Sequence, residues 1–407
     1  MQIVFTIQSA KLAQETFKKK DLAQRAEILE KFATSIFKHR SKIVEVISFE
    51  ELLPSEFVSV ELVEAVQKKI ENMRIEVQIF SQPQKLSPTG LLAARLDSQF
   101  LWSEMALLAA NSIAAGNAVL LLVSEANSKS VEILKNIFNE IGIPEGLISI
   151  VEDLQGDQAR LLAAHPGVRA IYIKGDEESG EVLAKAAFSK KKKIQFFLGV
   201  KNSSLVHPEF DFENRMEEIL NPFLIGSGQL SINCHRLFIS QSVENKFYEV
   251  LTDVSKKLSP EATLRSEKNK KVWEQSVGQV VNDSGKILSG GQSYESLKVQ
   301  PTWTKDLSNC SVMQQQWIPA PFFIITAVKY THEMTKWTNT GEYGHSAVVW
   351  APEEKLISLS QGLNVGHVHL NKWTGFFDMG LPVKGSFIGI PNSHWAGEFY
   401  SDVKKLT

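Results

Sequence analysis

Short apolar segments and amphipathic segments alternate between residues 90 and 175, and this alternation constrains the fold more than any other feature of the sequence. Four runs are typical of buried strands: LLAARL, AVLLLV, LISIV and AIYI. Helical spacing is found between them, at 103–115, 127–141 and 157–164. Strands that alternate with helices predict a parallel, doubly wound α/β sheet.

A second α/β lobe is predicted from the segments that follow. An apolar block begins at KIQFFLG, so we place the boundary between the lobes near Gln195. Residues 242–258 have helical spacing, and three later runs are typical of strands: FFIITAV, HSAVVWA and VGHVHLN. The last segment, EFYSDVKKL (398–406), is also predicted to be a strand, whereas 21–46 is predicted to form amphipathic helices.

Composition excludes several classes of protein. With 407 residues, of which 43% are hydrophobic and 22% charged, the chain can bury the core of two lobes. A formal net charge of -2 gives no global reason to bind nucleic acid or an anionic membrane, and no apolar run approaches the roughly 20 residues of a membrane span. Two cysteines are too few for a disulfide framework, so a reducing cytoplasm is the expected location.

Eight segments, taken in order, make the sequence similar to the aldehyde dehydrogenase superfamily over nearly its whole length. They are IAAGNAVLLLVSEAN, IGIPEGLISIV, HPGVRAIYIKGDEESG, QFFLGVKNS, GSGQLSINCHRLFIS, QQQWIPAPFF, NTGEYGHSAVVW and GHVHLN. Each motif is weak alone, because glycines and apolar strands recur widely. Their shared order and spacing carry the resemblance.

The resemblance implies a division of the chain. A Rossmann-like domain, the dinucleotide-binding domain of the family, would comprise 1–72 and 89–196, and a catalytic-type α/β domain would comprise 197–384. Residues 73–88 and 385–407 would form bridging or oligomerisation segments. In the family an extended hairpin and a C-terminal strand join subunits; IEVQIFSQ (75–82) and the 398–406 segment occupy those places, which predicts a homodimer or pairing with a related subunit.

The family's catalytic positions hold residues that do not suit its chemistry. Aldehyde oxidation through a thioester needs a thiolate, oxyanion donors, a hydride acceptor and a base. The nucleophile position is Ser231, whose hydroxyl is far less acidic than a thiol, and the base position is Phe197, which cannot accept a proton. The oxyanion position falls on Gln99, whose amide is displaced by one methylene from the family's asparagine.

The family's cofactor positions are changed as well. Leu122 stands where a lysine reaches the adenosine ribose, although Ser124 and Glu125 of that motif remain. Gly175 and Gly180 of the phosphate loop are kept, but Asp176 places a carboxylate where a helix N-terminus would attract pyrophosphate. The nicotinamide-ribose glutamate aligns with Trp317, or with Gln316 if the register shifts by one.

The sequence therefore predicts an aldehyde dehydrogenase fold that has lost NAD-dependent oxidation and has a structural or interaction role. No cofactor is expected, and if one binds it is expected to be NAD(P). Two other enzyme interpretations stay open: a divergent oxidoreductase acting on aldehydes, and a hydrolase that uses Ser231 or Cys234 with His235 nearby. The remaining alternative is a small-ligand binding module lined by aromatic residues, namely Phe196, Phe197, Trp317, Trp373 and Phe376.

Overall fold

The computed structural model describes residues 2–80, 86–97, 99–124, 128–153, 155–374, 387–388 and 397–403. The chain divides into two compact units. Unit 1 comprises residues 1–198, 377–382 and 387–407, and unit 2 comprises residues 199–376 and 383–386. The division falls between Leu198 and Gly199, close to the predicted position at Gln195. The assignment of separate bridging segments remains a prediction.

The described residues form helices and strands along the whole chain. The α-helices are α1 Gln2–Phe17, α2 Leu22–Glu51, α3 Ser55–Phe57, α4 Ala65–Phe80, α5 Leu101–Ala115, α6 Lys129–Glu140, α7 Asp157–Ala164, α8 Glu177–Ser189, α9 Met216–Leu224, α10 Glu244–Leu258, α11 Glu267–Asn282, α12 His332–Asn339, α13 Glu353–Ser360 and α14 Gly397–Tyr400. The strands are β1 Leu86–Pro88, β2 Leu91–Arg95, β3 Ala118–Val123, β4 Ile148–Glu152, β5 Ala170–Lys174, β6 Lys193–Phe197, β7 Asn202–Val206, β8 Cys234–Ser240, β9 Ala262–Thr263, β10 Lys286–Ser289, β11 Lys298–Val299, β12 Thr302–Lys305, β13 Phe322–Val328, β14 Ser346–Trp350, β15 His367–Leu370, β16 Phe387–Ile388 and β17 Ser401–Val403. Residues Val58–Glu64 form a π-helix.

Unit 1 is built on a six-stranded sheet in the order β16-β6-β5-β2-β3-β4. All neighbouring strands are parallel except β16, which runs antiparallel to β6. Every residue of β3 and β5 is buried, as expected for central strands of a parallel sheet covered by helices. The predicted α/β alternation is confirmed.

The amphipathic segment at the N-terminal end of unit 1 is one 30-residue helix, α2. Asp21 begins it with a capping box, in which its carboxylate accepts a hydrogen bond from the Gln24 backbone (2.8 Å) and the Gln24 side chain accepts one from the Asp21 backbone (3.0 Å). All seven apolar residues that set the predicted helical spacing are buried: Ala26, Leu29, Phe32, Ala33, Ile36, Ile43 and Val46.

Unit 2 contains a seven-stranded sheet in the order β10-β12-β13-β8-β7-β14-β15. Its strands are parallel except for the β10–β12 pair. One core cluster packs around Phe223, Trp303 and Phe323, and the rings of Trp303 and Phe323 lie 4.6 Å apart. The Trp303 indole donates a hydrogen bond to Ser255 Oγ (2.8 Å), so the polar atom of this buried ring is satisfied.

Two predicted strands are wrong in part. Ile75–Phe80 belongs to α4, so the place assigned to an extended hairpin is helical up to Phe80; residues 81 and 82 lie outside the described residues. The 398–406 segment starts as α14 and becomes a strand at β17, which pairs antiparallel with β1, and residues 404–406 lie outside the described residues. Among the residues that the structure describes, no helix is long and apolar enough to cross a membrane.

Candidate active site

The loop before β8 carries the nucleophile position on a tight turn. Gly226, Ser227 and Gly228 all have positive φ angles, of 57°, 56° and 65°. A Cβ at Gly228 would lie 3.0 Å from Pro321 Cα, so the turn leaves no room for a side chain there. The Gln229 side chain then fixes the loop, since its Nε2 donates to Thr263 O (2.9 Å) and its Oε1 accepts from Arg265 N (2.9 Å).

Ser231 follows this turn and is buried, with 2% of its surface exposed. The Asn202 amide donates to the backbone carbonyls of Ser231 and Asn233, both at 2.9 Å, and its carbonyl oxygen accepts a hydrogen bond from Ser346 N (3.1 Å). The Asn233 side chain in turn accepts a hydrogen bond from Leu230 N (2.6 Å). The backbone at the nucleophile position is therefore held by side chains of unit 2.

Cys234 and His235, the proposed alternative nucleophile and its neighbour, are both fully buried. The Cys234 thiol lies in the hydrophobic core, and burial raises its pKa, which leaves little thiolate at neutral pH. Burial lowers the pKa of His235 well below its usual range, so its imidazole is neutral. These environments suit core residues rather than a thiol–imidazole pair.

A β-bulge determines where His235 lies relative to its neighbours. In the β7–β8 pairing, Asn202 lies opposite Cys234 but the next residue, Ser203, lies opposite Arg236. His235 is the extra residue, and such bulges redirect side chains. The Arg236 guanidinium then donates to the backbone carbonyls of Lys201 (3.0 Å), Trp337 (3.2 Å) and Thr338 (3.2 Å).

Phe197, at the base position, ends β6 in unit 1 and is buried. It lies beside Lys174 in the parallel β5–β6 register, with the Lys174 ammonium 5.9 Å from the centre of its ring. The same ammonium lies 5.5 Å from the Phe100 ring. The residue predicted at the base position is thus a hydrocarbon ring beside a buried cation.

Lys174 belongs to a buried charge network that the sequence analysis missed. Its ammonium lies 3.0 Å from Glu104 Oε1, 3.6 Å from Asp97 Oδ1 and 2.7 Å from the Gln99 carbonyl. Burial raises the pKa of Glu104, although the Lys174 charge opposes this shift. Burial by itself would lower the pKa of Lys174, but the charges of Glu104 and Asp97 outweigh the effect of burial, so the pKa of Lys174 is raised. Charged residues inside apolar runs, LWSEMALLAA and AIYIK, are the sequence feature that marks this pair.

Gln99, at the oxyanion position, is buried between this network and the start of α5. Its backbone N–H donates to Asp97 Oδ1 (3.1 Å). The Glu51 carboxylate accepts from the next two backbone N–H groups, those of Phe100 (2.8 Å) and Leu101 (3.1 Å), so it neutralises the positive end of the α5 dipole.

The phosphate-loop positions lie at the junction of β5 and α8. Asp176 is the N-cap of α8, and its carboxylate accepts a hydrogen bond from Ser179 N (3.0 Å). Glu177 and Glu178 add two further carboxylates in the first turn. Gly180 is packed against Leu198, since a Cβ there would lie 2.1 Å from Leu198 Cδ2. The N-terminus of α8 therefore carries negative charge and a satisfied cap.

The remaining cofactor and ligand positions are less informative. Leu122 is buried in β3, and Ser124 is half-buried just after that strand. Trp317 is half-buried and its neighbour Gln316 is exposed. Among the other aromatic residues predicted to line a ligand cavity, Phe196 is half-buried and Trp373 packs against the core of unit 2. Glu125 and Phe376 lie outside the described residues.

Three asparagines of the family motifs have structural roles. Asn117 accepts from Gly90 N (2.8 Å) and donates to Tyr400 O (2.7 Å). Asn339 links the backbones of Gly362 and Asn364, and Asn371 bonds both backbone groups of Ala351. These residues fix turns and strand ends, as their residue types predict. Within the described part of the chain, no group of three or more His, Cys, Asp or Glu side chains is placed to hold a metal ion.

The largely parallel sheets of the two units, the turn at Gly228 and Gln229, and the turn at Gly116 and Asn117 define an aldehyde dehydrogenase-like α/β protein. A model of the aldehyde dehydrogenase family matches residues 1–406, and the chain belongs to that family.

Known proteins similar to this chain include curated enzymes and solved structures. It is 24% identical over 318 residues to 2-aminomuconic 6-semialdehyde dehydrogenase of Pseudomonas sp, and 24% identical over 337 residues to retinaldehyde dehydrogenase 3 of Mus musculus. These matches cover 73% and 79% of this chain but 65% of each relative, so the chain matches less than two thirds of their length.

Betaine aldehyde dehydrogenase of Staphylococcus aureus, solved in complex with NAD+, superposes with a TM-score of 0.89 at 18% identity, over 98% of this chain and 85% of that chain. Lactaldehyde dehydrogenase of Escherichia coli superposes with a TM-score of 0.87 at 20% identity, over 98% of this chain and 89% of that chain. At these identities the likeness shows the fold.

Proposed function

We propose that this chain is a member of the aldehyde dehydrogenase family that does not oxidise aldehydes, and that its role is structural or an interaction with a second copy or a related chain. The observation that carries the proposal is Phe197, a buried hydrocarbon ring over Lys174 at the base position. Loss of a general base alone costs about 10²–10⁴ in rate. Ser231 stands at the predicted nucleophile position in place of a thiol, and the losses of a base and of a nucleophile are not additive.

The environment of α8 supports the absence of a nicotinamide cofactor. Asp176 already accepts the helix N-terminal N–H that would bind a phosphate oxygen, and Glu177 and Glu178 would repel an anion. The buried Leu122 offers no hydrogen bond to a ribose hydroxyl. These residues do not fit a dinucleotide, so we derive no chemical step through one.

Calorimetric titration of the purified chain with NAD and with NADP tests this part of the proposal. We expect no binding heat, and no reduction of either dinucleotide when propanal is added. The variant Asp176→Ser keeps a residue that caps helices while it removes the charge, so any change in its affinity reports the carboxylate and not a lost cap. Binding by the parent chain followed by dinucleotide reduction at an ordinary enzymatic rate would overturn the proposal.

The interaction role rests on a two-stranded ribbon of unit 1. The β1–β17 pair is a two-stranded ribbon, and its outer backbone groups are the kind of edge that adds a strand from another chain. Light scattering over a range of concentrations measures the association. We expect a dimer, or a heterodimer with an active relative; a monomer at every concentration and in the presence of that relative would remove the interaction role.

A further inference from the structure

Lys201 is a buried amine. Only 2% of its surface is exposed, and among the residues that the structure describes its side-chain nitrogen has no hydrogen-bond partner. Lysines are almost never buried in this way without a paired carboxylate, because desolvation disfavours the charged form. Such a group needs an explanation other than stability.

The groups around Lys201 further disfavour the charged form of its amine. The guanidinium of Arg236 bonds the Lys201 carbonyl (3.0 Å), and burial followed by the Arg236 charge lowers the pKa of Lys201 well below its usual range. His235, the extra residue at the register shift of β8, is also buried, and in the described part of the chain neither of its ring nitrogens has a hydrogen-bond partner of ordinary geometry. Two nitrogen bases and a guanidinium thus lie together, and no described carboxylate contributes to the Lys201 pKa.

Hydrogen bonds connect the backbone beside Lys201 to the nucleophile loop. Asn202, the next residue, holds the carbonyls of Ser231 and Asn233 with two hydrogen bonds of 2.9 Å. The amine is therefore anchored on the same hydrogen-bonded segment as the nucleophile position. Side chains held in this way keep their geometry when a reactant arrives.

A neutral, desolvated lysine beside another cation is the arrangement that makes an amine nucleophilic toward carbonyl groups. We propose that Lys201 captures small aldehydes as a reversible Schiff base. The Lys201 nitrogen uses its lone pair to bond the carbonyl carbon, loses its protons as the oxygen gains them, and water leaves as the C=N bond forms. No oxidant, reductant or cofactor is needed. This activity does not depend on the proposed loss of oxidation.

Reductive trapping tests the proposal on the whole chain. The native protein is exposed briefly to propanal and cyanoborohydride near pH 6, and the N-propyl group is located by peptide mapping. We expect Lys201 to be labelled at least about tenfold faster than Lys185, because each unit by which a lysine pKa falls raises its neutral fraction roughly tenfold. Lys185 is a suitable reference because 77% of its side chain is exposed.

Controls separate reactivity from detection and from misfolding. Labelling in guanidinium makes all lysines equivalent and shows that the Lys201 peptide is observable. The variants Lys201→Met and Lys185→Met are expected to lose only their own label, and since the decisive comparison is made within the parent chain, a variant that fails to fold leaves the test intact. Labelling of Lys201 in guanidinium but not in the native protein would overturn the proposal. A native rate no greater than that of Lys185 would overturn it as well.

Discussion

Replacing Lys174 with methionine is expected to destabilise the chain in a way that depends on pH. Glu104 is completely buried, and the Lys174 ammonium at 3.0 Å is its charge partner. Methionine keeps most of the volume of the lysine stem but removes the cation. The Glu104 carboxylate must then either remain charged without its ion-pair partner or take up a proton.

The free energy of protonating Glu104 is the largest loss of stability expected from Lys174→Met. Moving a carboxyl group with an ordinary pKa near 4.3 to its neutral form at pH 7 costs about 3.7 kcal/mol, at about 1.36 kcal/mol per pH unit. The loss is smaller to the extent that burial already raises the Glu104 pKa in the parent chain. Removing one partner of a buried pair typically costs about 3–5 kcal/mol, which is consistent with this ceiling.

The sign of the pH dependence follows from linkage. In the variant, folded Glu104 holds a proton that the unfolded chain releases above about pH 4.3, so the loss grows as pH rises. At pH 5 the same calculation gives a loss of stability of about 1 kcal/mol. Adding Glu104→Leu to Lys174→Met removes the orphan carboxyl group and is expected to recover most of the stability, because well-packed apolar residues can replace a buried pair.

Urea denaturation at pH 5 and pH 7, followed by far-UV circular dichroism, measures these free energies of unfolding. Lys185→Met is the matched control, since Lys185 forms an exposed pair with Glu181 that is worth about 0.3–0.5 kcal/mol. A loss of equal size at both pH values would mean that Glu104 is already neutral in the parent chain. That result, or a loss no larger than the control, would refute the ion-pair interpretation.

Three other outcomes are expected. Iodoacetamide should modify the exposed Cys310 quickly and Cys234 only after unfolding, because Cys234 is buried and burial raises its pKa; rapid native labelling of Cys234, located by mass spectrometry, would contradict this. Gly180→Ala should cost about 1–3 kcal/mol in urea denaturation, since its Cβ would lie 2.1 Å from Leu198 Cδ2, and Leu198→Ala should relieve the clash. Lys201→Met should be more stable than the parent chain at neutral pH. The unfolded parent chain binds a proton at Lys201 that the folded parent chain does not. The difference in free energy of unfolding between the variant and the parent should therefore shrink by at most about 1.4 kcal/mol per pH unit as pH rises toward 10. A difference that does not depend on pH would show that Lys201 is not desolvated.

Much of the fold of unit 1 could be predicted because its strands are buried on both faces. Such strands are continuous apolar runs, so β3 matches the predicted AVLLLV and β5 matches AIYI to within a residue. Helix caps depend on local chemistry, and Asp176 bonds the backbone N–H of Ser179, three residues away. Asn117, by contrast, bonds Gly90 N, 27 residues away, a partner that only the packed chain provides. The segment 75–80 shows the limit of the resemblance: it occupies the place of the family's extended hairpin, but the backbone continues the helix α4.

The sequence by itself determined the α/β class and the family motifs, and it predicted the loss of a thiol and a carboxylate at Ser231 and Phe197. Only the tertiary structure decided which charges meet. Lys174 and Glu104 lie 70 residues apart and pair because β5 and α5 pack in the same unit. Lys201 belongs to the other unit and is buried with no hydrogen-bond partner among the described residues. Burial and ion pairing depend on how the chain packs. The periodicity of a sequence does not give the distance between two side chains that are far apart along the chain.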